Sequence, residues 1–306
     1  MVRLELSIEL RYDVGVPGGD FVFNIHGAHT RSQVIQSESL LISQAVTSEI
    51  FTIEATHNRY LRLSALPGPL QVNYNAVLDL HHVVAQAADV FEVPVAQLPP
   101  EVLSYIYPSR YCQSDRLSAV AMAEFGYMQR GYSRVKCIEN WVRSHVCYTP
   151  NTSTSTTSAI DTLVDRVGVC RDFAHLMIAL CRALSIPARF VTGIDFGSNP
   201  ALRPSDFHAY VEVFLGNRWY MFDPSGIAIP MGFVRFGTGR DAADVSFATI
   251  FGDVMTQAPV IHAAALTHPD GLWEQPRHRD EAISTDAANA YATLGSDQAV
   301  ADGVNG

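Results

Sequence analysis

Gly168 to Leu184 reads GVCRDFAHLMIALCRAL, and its periodicity decides the fold. At about 100° per residue, Cys170, Ala174, Met177 and Cys181 fall on one stripe, and Phe173, Leu176, Leu180 and Leu184 fall on the next. A double apolar stripe of this width belongs to a helix buried in a core. Cys170 lies in the first turn, where unpaired backbone N–H groups and the positive end of the helix dipole stabilise a thiolate and could hold an oxyanion. By the same arithmetic Asp172 and His175 project roughly 200° and 140° away from Cys170, so a catalytic partner must come from elsewhere in the chain. Cys181 is about 16 Å further along an unbroken helix at 1.5 Å per residue, too far for a disulfide with Cys170, and reads as a core residue.

Downstream, Pro187 ends the helix and ARFVTGI (Ala188 to Ile194) reads as a strand. HAYVEVFL (His208 to Leu215) then meets RWYMFDP (Arg218 to Pro224) across Gly216-Asn217, a two-residue hairpin signal. That turn sets Leu215 opposite Arg218, Tyr210 opposite Asp223 and His208 opposite Ser225. His208 and Asp223 become diagonal neighbours on one face, within reach of an imidazole to carboxylate contact. A slip of one residue would move one of them to the other face. That other face carries Ala209, Val211, Val213 and Leu215 with Tyr220 and Phe222, a surface fit to pack on a core. A thiol at a helix start, with His and Asp on one hairpin face, is the material of a Cys-His-Asp triad.

Before the helix, the period is different. Over about the first 80 residues, segments such as VRLELSIELRY, DFVFNI, EIFTIEAT, RYLRLSA and LQVNYNAVLDL are rich in β-branched and aromatic residues and often alternate, which predicts an antiparallel β-sandwich over residues 1–95. Pro94, Pro99 and Pro100 mark its end. From Leu117 the period moves toward 3.6, predicting two helices through Val120 to Met128 and Val135 to His145. The polar stretch Asn151 to Thr157 reads as a surface loop. Ser158-Ala-Ile-Asp161 reads as a capping-box start, with Gly168 as the stop of that short helix. A catalytic domain is expected over residues 96–260. A tail over residues 261–306 is expected to be mobile or to hold one helix, in its Ala-rich stretch at Asp286 to Leu294.

Composition narrows the partners. The 306 residues carry 21 Lys and Arg against 31 Asp and Glu, a formal charge of -10, and show no basic run, which argues against nucleic acid and anionic membrane. Cysteines 112, 137, 147, 170 and 181 are odd in number and widely spaced, as expected of reduced thiols. The first twenty residues lack a continuous apolar run, and no later run reaches the roughly 18 apolar residues of a spanning helix, so the expectation is a soluble cytoplasmic protein. His26, His29, His81 and His82 lack carboxylate or cysteine companions at ligand spacing, and no zinc spacing occurs. Structural roles are expected for these histidines, and the sequence asks for no cofactor or metal.

GVCRDFAHLMIALCRALSIPARFVTG, DFHAYVEVFLGNRWYMFDPSG, GRDAADV at Gly239 to Val245 and YIYPSRYCQSD at Tyr105 to Asp115 together resemble the bacterial transglutaminase-like cysteine hydrolases, over about Tyr105 to Gly252. The resemblance implies an α+β architecture, with a papain-like core of helices on an antiparallel sheet behind the N-terminal β-domain. It also implies Cys170 as nucleophile, His208 as general base and acid, and Asp223 as the residue orienting the imidazole. Tyr210 departs from the Trp that many relatives have after His-Ala, which implies a packing change. The backbone N–H of Cys170 is expected to be one oxyanion donor, and Tyr148 is the candidate for a second. Gly239-Arg240-Asp241 is expected to brace the core by an ion pair. The activity expected is that of a cysteine protease or amidase on a peptide or protein amide. A transglutaminase would use the same triad, and a non-catalytic scaffold would keep only the fold. Hydrolysis is preferred because a transferase must exclude water.

Overall fold

The computed structural model describes residues 1–194, 196–197 and 206–284. Alternation in the N-terminal segment gives β1 (Val2–Val14), β2 (Gly19–Phe23), β3 (Gln33–Ile42), β4 (Ser48–Thr52), β5 (Arg59–Ala65) and β6 (Gly68–Leu80). In β1 the residues Val2, Leu4, Leu6, Ile8 and Leu10 are buried and face a common core with Leu70, Val72 and Tyr74 of β6 and Phe21 and Phe23 of β2. After β7 (Val83–Ala85) come α1 (Ser118–Phe125) and α2 (Tyr132–His145), then β8 (Cys147–Tyr148), α3 (Ala159–Asp165), β9 (Val167–Gly168) and α4 (Cys170–Ala183). The chain continues through β10 (Ala188–Ile194), β11 (Phe207–Leu215), β12 (Arg218–Phe222) and β13 (Arg235–Gly239). Four short strands follow: β14 (Ala248–Phe251), β15 (Val254–Thr256), β16 (Val260–Ala265) and β17 (Ala282–Ser284).

The sandwich consists of one sheet in the order β15-β1-β6-β3, with β16 also on β1, and a second in the order β14-β2-β5-β4. One edge of each sheet is thus formed by strands from far downstream. The segment from Ile261, expected to be mobile or helical, instead runs antiparallel to β1 with Ile8 opposite Ile261. Its side chains are small, and Ala263, Ala264 and Ala265 carry no strong strand signal, so pairing with a long ready-made edge overrode local propensity. The Ala-rich stretch at Asp286 to Leu294 lies outside the described residues.

The second unit is a six-stranded antiparallel sheet in the order β13-β10-β11-β12-β17-β7. The hairpin register is the one its turn demands, with Leu215 opposite Arg218, Val213 opposite Tyr220 and Val211 opposite Phe222. Ala209, Val211, Val213, Leu215, Tyr220 and Phe222 pack with α4 on one face of the sheet. Tyr210, Met221, Phe233 and Phe236 pack on the other face against the sandwich. The sheet is therefore buried on both sides, and every residue of β11 is buried. Tyr210 fits there by lying flat on Phe233, with ring centroids 4.3 Å apart.

Two side-chain amides join the units at the free edge of β13. Gln33 donates to the Arg235 carbonyl and accepts the Arg235 N–H, each at 2.8 Å. Asn58 treats Thr238 likewise, at 2.9 and 2.8 Å. Each amide stands in for a peptide of the missing neighbouring strand, and the Arg235 carbonyl also accepts the Ala28 N–H at 2.9 Å, so these buried edge groups are satisfied.

The start of α3 carries the expected capping box, with Asp161 Oδ2 accepting the Ser158 N–H at 2.9 Å. Its end differs from expectation. The helix stops at Asp165 through Arg166 in the left-handed conformation, φ 58°, two residues before Gly168. Gly168 is instead part of β9, which pairs in parallel with β8. A Cβ on Gly168 would lie 2.7 Å from the Cβ of Asp172, so glycine is needed for close approach and not for a helix stop.

Candidate active site

α4 is buried from Asp172 to Arg182. Phe173, Leu176 and Leu180 are wholly buried, each contributing about 1.5–3 kcal/mol by leaving water. Its N-terminal end is fixed by Asp172, whose Oδ2 accepts the Val169 N–H at 2.9 Å. The other carboxylate oxygen of Asp172 accepts from Ser153 Oγ at 2.9 Å and from Arg171 at 3.2 Å. The polar loop is thereby tied to the first turn of the helix. Cys170, by contrast, is only partly buried. It lines a cavity of about 480 Å3 together with His208, Tyr148, Tyr111, Phe207 and Phe247.

His208, on β11, is 1% exposed and places Nε2 3.2 Å from Asp223 Oδ1. Its other ring nitrogen is buried and makes no hydrogen bond of ordinary geometry, while the Cys170 thiol is near enough to strengthen the imidazole's hold on its proton. Burial alone would make the imidazole less basic. The charge and hydrogen bond of Asp223, aided by Cys170, outweigh burial and raise its pKa well above 6.5. For Asp223 burial acts upward, and the His208 charge and bond, with Ser225 and the Ala228 N–H, carry its pKa below 3.8. Folding thus buries the His208 imidazole and the Asp223 carboxylate as a hydrogen-bonded pair beside the Cys170 thiol, in surroundings that favour the protonated ring.

Asp223 is the first residue after β12, so its own backbone leaves the ladder. Ser225 Oγ donates to Asp223 Oδ1 at 2.6 Å, and the Ala228 N–H donates to Oδ2 at 3.2 Å. Sequence reasoning placed Ser225 opposite His208; it bonds Asp223 instead, because the strand ends at Phe222 and the chain turns. The signal was present in Asp-Pro-Ser-Gly, a run in which Asp and Ser bond locally within turns.

Comparison with known proteins gives this geometry a family. The model for the transglutaminase-like superfamily matches residues 123–224, and the model for the bacterial transglutaminase N-terminal domain matches residues 2–101. A solved structure from Cytophaga hutchinsonii, provisionally named a cysteine protease, is 38% identical with a TM-score of 0.86, covering 92% of this chain and 97% of that one. The chain belongs to the transglutaminase-like superfamily.

Two curated mycobacterial relatives are also similar to this transglutaminase-like chain. Uncharacterized protein ML0607 of Mycobacterium leprae is 33% identical over 111 residues, 35% of this chain and 39% of that protein. Uncharacterized protein Rv2569c of Mycobacterium tuberculosis is 30% identical over 109 residues, 32% of this chain and 35% of that protein. The match thus spans less than half the length of either.

In the transglutaminase-like core, His175 is wholly buried, stacks on Tyr111 and accepts the Ala242 N–H through Nε2 at 3.1 Å. Burial, then the charges of Arg171 and Arg182, lower its pKa well below 6.5, so it packs as a neutral ring. Arg182 was not singled out from sequence. It is buried and donates to the carbonyls of Ala188, Tyr107 and Arg240, and to Ser109. Arg182 thus explains why YIYPSRYCQSD and GRDAADV accompany the cysteine helix. Arg240 pairs with Asp244 at 3.0 Å, and Asp241 accepts the Tyr111 N–H at 2.9 Å.

His26, in the β-domain, packs against Tyr74, and burial pushes its pKa down to about 4, as befits a structural ring. Among the described residues no cluster of three His, Cys, Asp or Glu could hold a metal, and no helix is long and apolar enough to cross a membrane.

Proposed function

We propose that the chain is a cysteine-dependent amide or peptide hydrolase acting through Cys170, His208 and Asp223. The observation that carries this reading is the buried His208 imidazole, bonded to Asp223 at 3.2 Å and facing the cavity that Cys170 also lines. The kinship with the Cytophaga hutchinsonii protein supports the same reading.

In the mechanism, His208 holds the proton and Cys170 attacks as thiolate. The sulfur bonds to the amide carbonyl carbon, and the oxyanion is received by the Cys170 backbone N–H and by Tyr148, which lines the same cavity. His208 gives its proton to the departing amine, leaving a thioester on Cys170. Neutral His208 then takes a proton from water, whose oxygen attacks the thioester; the carbon–sulfur bond breaks, the acid leaves, and the Cys170 thiolate is restored beside protonated His208. Asp223 orients the ring and stabilises its charged form throughout.

Turnover of a peptide and amide library tests the reading, with Cys170→Ala as the control. Activity lost in that variant is the expected result, and equal activity in both proteins would overturn it. A primary amine added to the same reaction separates hydrolysis from acyl transfer, since a transferase would form the amine adduct in place of the acid. The five free thiols support a reducing compartment such as the cytoplasm, which fractionation of the source cells tests.

A further inference from the structure

α2 lies against the end of β12, away from the cavity, yet two of its side chains grip the backbone of the residue that holds the imidazole. Glu139 Oε1 accepts the Asp223 N–H at 2.9 Å. Arg143 Nη2 donates to the Asp223 carbonyl at 2.6 Å. Both backbone polar groups of Asp223, released from the sheet where β12 ends, are taken up by residues one turn apart on a helix.

We infer that Glu139 and Arg143 are positioning residues that hold the Asp223 backbone, and through it the Asp223 carboxylate, against His208. The inference gives this grip its purpose only if Cys170, His208 and Asp223 work as proposed, but the geometry it describes can be tested without turnover.

A plain ion pair on the helix surface does not account for the arrangement. The Glu139 side chain is 3% exposed, and Arg143 sits 3.6 Å from it, further than Arg143 sits from the Asp223 carbonyl. A buried carboxylate loses its hydration and needs partners to offset that loss, so an apolar residue would serve packing better. Lys136, 2.5 Å from Glu139, and Arg143 supply the opposing charge.

The turn after Asp223 is shaped for the same contact. The Gly226 N–H closes it on the Asp223 carbonyl at 3.1 Å, with φ +67° at Gly226. A Cβ there would lie 2.7 Å from Arg143 Nε, so glycine keeps open the space that the guanidinium crosses.

The experiment is an NMR titration of the His208 ring nitrogens in the full chain carrying Cys170→Ala, with and without changes on α2. Glu139→Leu removes the acceptor and is expected to weaken His208 protonation about tenfold, a downward move of about one pH unit. Glu139→Gln keeps an oxygen for the Asp223 N–H and is expected to give less than half of that move. Arg143→Ala is expected to weaken His208 protonation several-fold and so lower the midpoint, although losing a nearby cation would by itself raise it. Arg143 is 43% exposed, so this variant keeps the core intact if Glu139→Leu does not fold.

An unmoved or raised midpoint in folded Arg143→Ala would overturn the inference. So would equal moves for Glu139→Gln and Glu139→Leu, which would assign the effect to charge alone. Failure of the hydrolase reading looks different: Cys170 would label like an ordinary thiol while His208 still answered to Arg143.

Discussion

At the N-terminal end of α4, Cys170 is partly exposed beside the His208 imidazole; at the C-terminal end of the same helix, Cys181 is wholly buried among apolar side chains. Burial raises the pKa of the Cys181 thiol, and nearby Arg182 and Arg134 do not offset it. Cys112 follows the same rule, pushed up to about 12 by burial. One residue type on one helix is therefore inert or available according to whether water and an imidazole reach it, and helical periodicity sets both positions equally well.

The largest effect that would break this contrast is in labelling. Iodoacetamide at neutral pH, mapped by peptide mass, is expected to modify Cys170 in the native protein and Cys181 only after denaturation. The ratio should be roughly a thousandfold, because a buried thiol reacts only through openings that cost several kcal/mol. Exposed Cys137 and Cys147 give the rate of an ordinary thiol in the same sample. Cys181 labelled as fast as Cys147 would remove the contrast.

The next effect isolates the imidazole. At pH 6, His208→Ala is expected to slow Cys170 labelling by roughly a hundredfold, the lower end of the usual range for a positioned proton-transfer partner. Near pH 10 the two rates should converge, since an ordinary thiol is itself ionised there.

Asp223→Ala should cost about 3–5 kcal/mol of stability, because it leaves a buried charge unpaired. The sign with pH follows from the two shifts. The raised His208 contributes stability fully below 6.5 and loses it as pH rises through its folded value. The depressed Asp223 contributes above 3.8 and loses it as pH falls through its folded value. The cost of Asp223→Ala should therefore be greatest between these two ordinary values and shrink on either side. A cost that is flat from pH 4 to pH 9 in thermal melts would sink the ion pair.

How much of this could be read beforehand divides along the same line. Periodicity fixed α4, and the Gly216-Asn217 turn fixed the register that puts His208 and Asp223 on one face, since both are local and repeat over many residues. Glu139 and Arg143 gave no such signal: they lie on an earlier helix, and in sequence they form an ordinary i,i+4 pair. Arg182 was hidden for a related reason, as a lone cation at a helix end reads as a surface residue favoured by the dipole. The strands that join the sandwich from downstream were missed because they are short, and the Ala-rich one pairs only where a long edge awaits it. What could be read was short-range pattern, and what could not was which distant backbone group a polar side chain would satisfy.

A smaller change probes the turn that separates the two regimes. Gly226→Ala adds a Cβ at positive φ against Arg143, and should cost about 1–2 kcal/mol. If Arg143 is displaced, His208 protonation should weaken in the same sense as in Arg143→Ala. A melt shifted without any change at His208 would confine Gly226 to backbone strain.

The smallest effect belongs to the inert end of the helix. Cys181→Ala removes one buried sulfur next to Arg182 and should cost about 1 kcal/mol, the scale of deleting one buried heavy atom from a packed core. The Cys170 labelling rate should stay unchanged, because the two residues share a helix stripe but no polar partner, and the first turn is held by Asp172 and the polar loop rather than by packing at the far end. A Cys170 rate that fell along with stability would mean that the N-terminal turn depends on the whole helix seating correctly. The two ends of α4 would then be a single mechanical unit, and the contrast between them one of exposure alone.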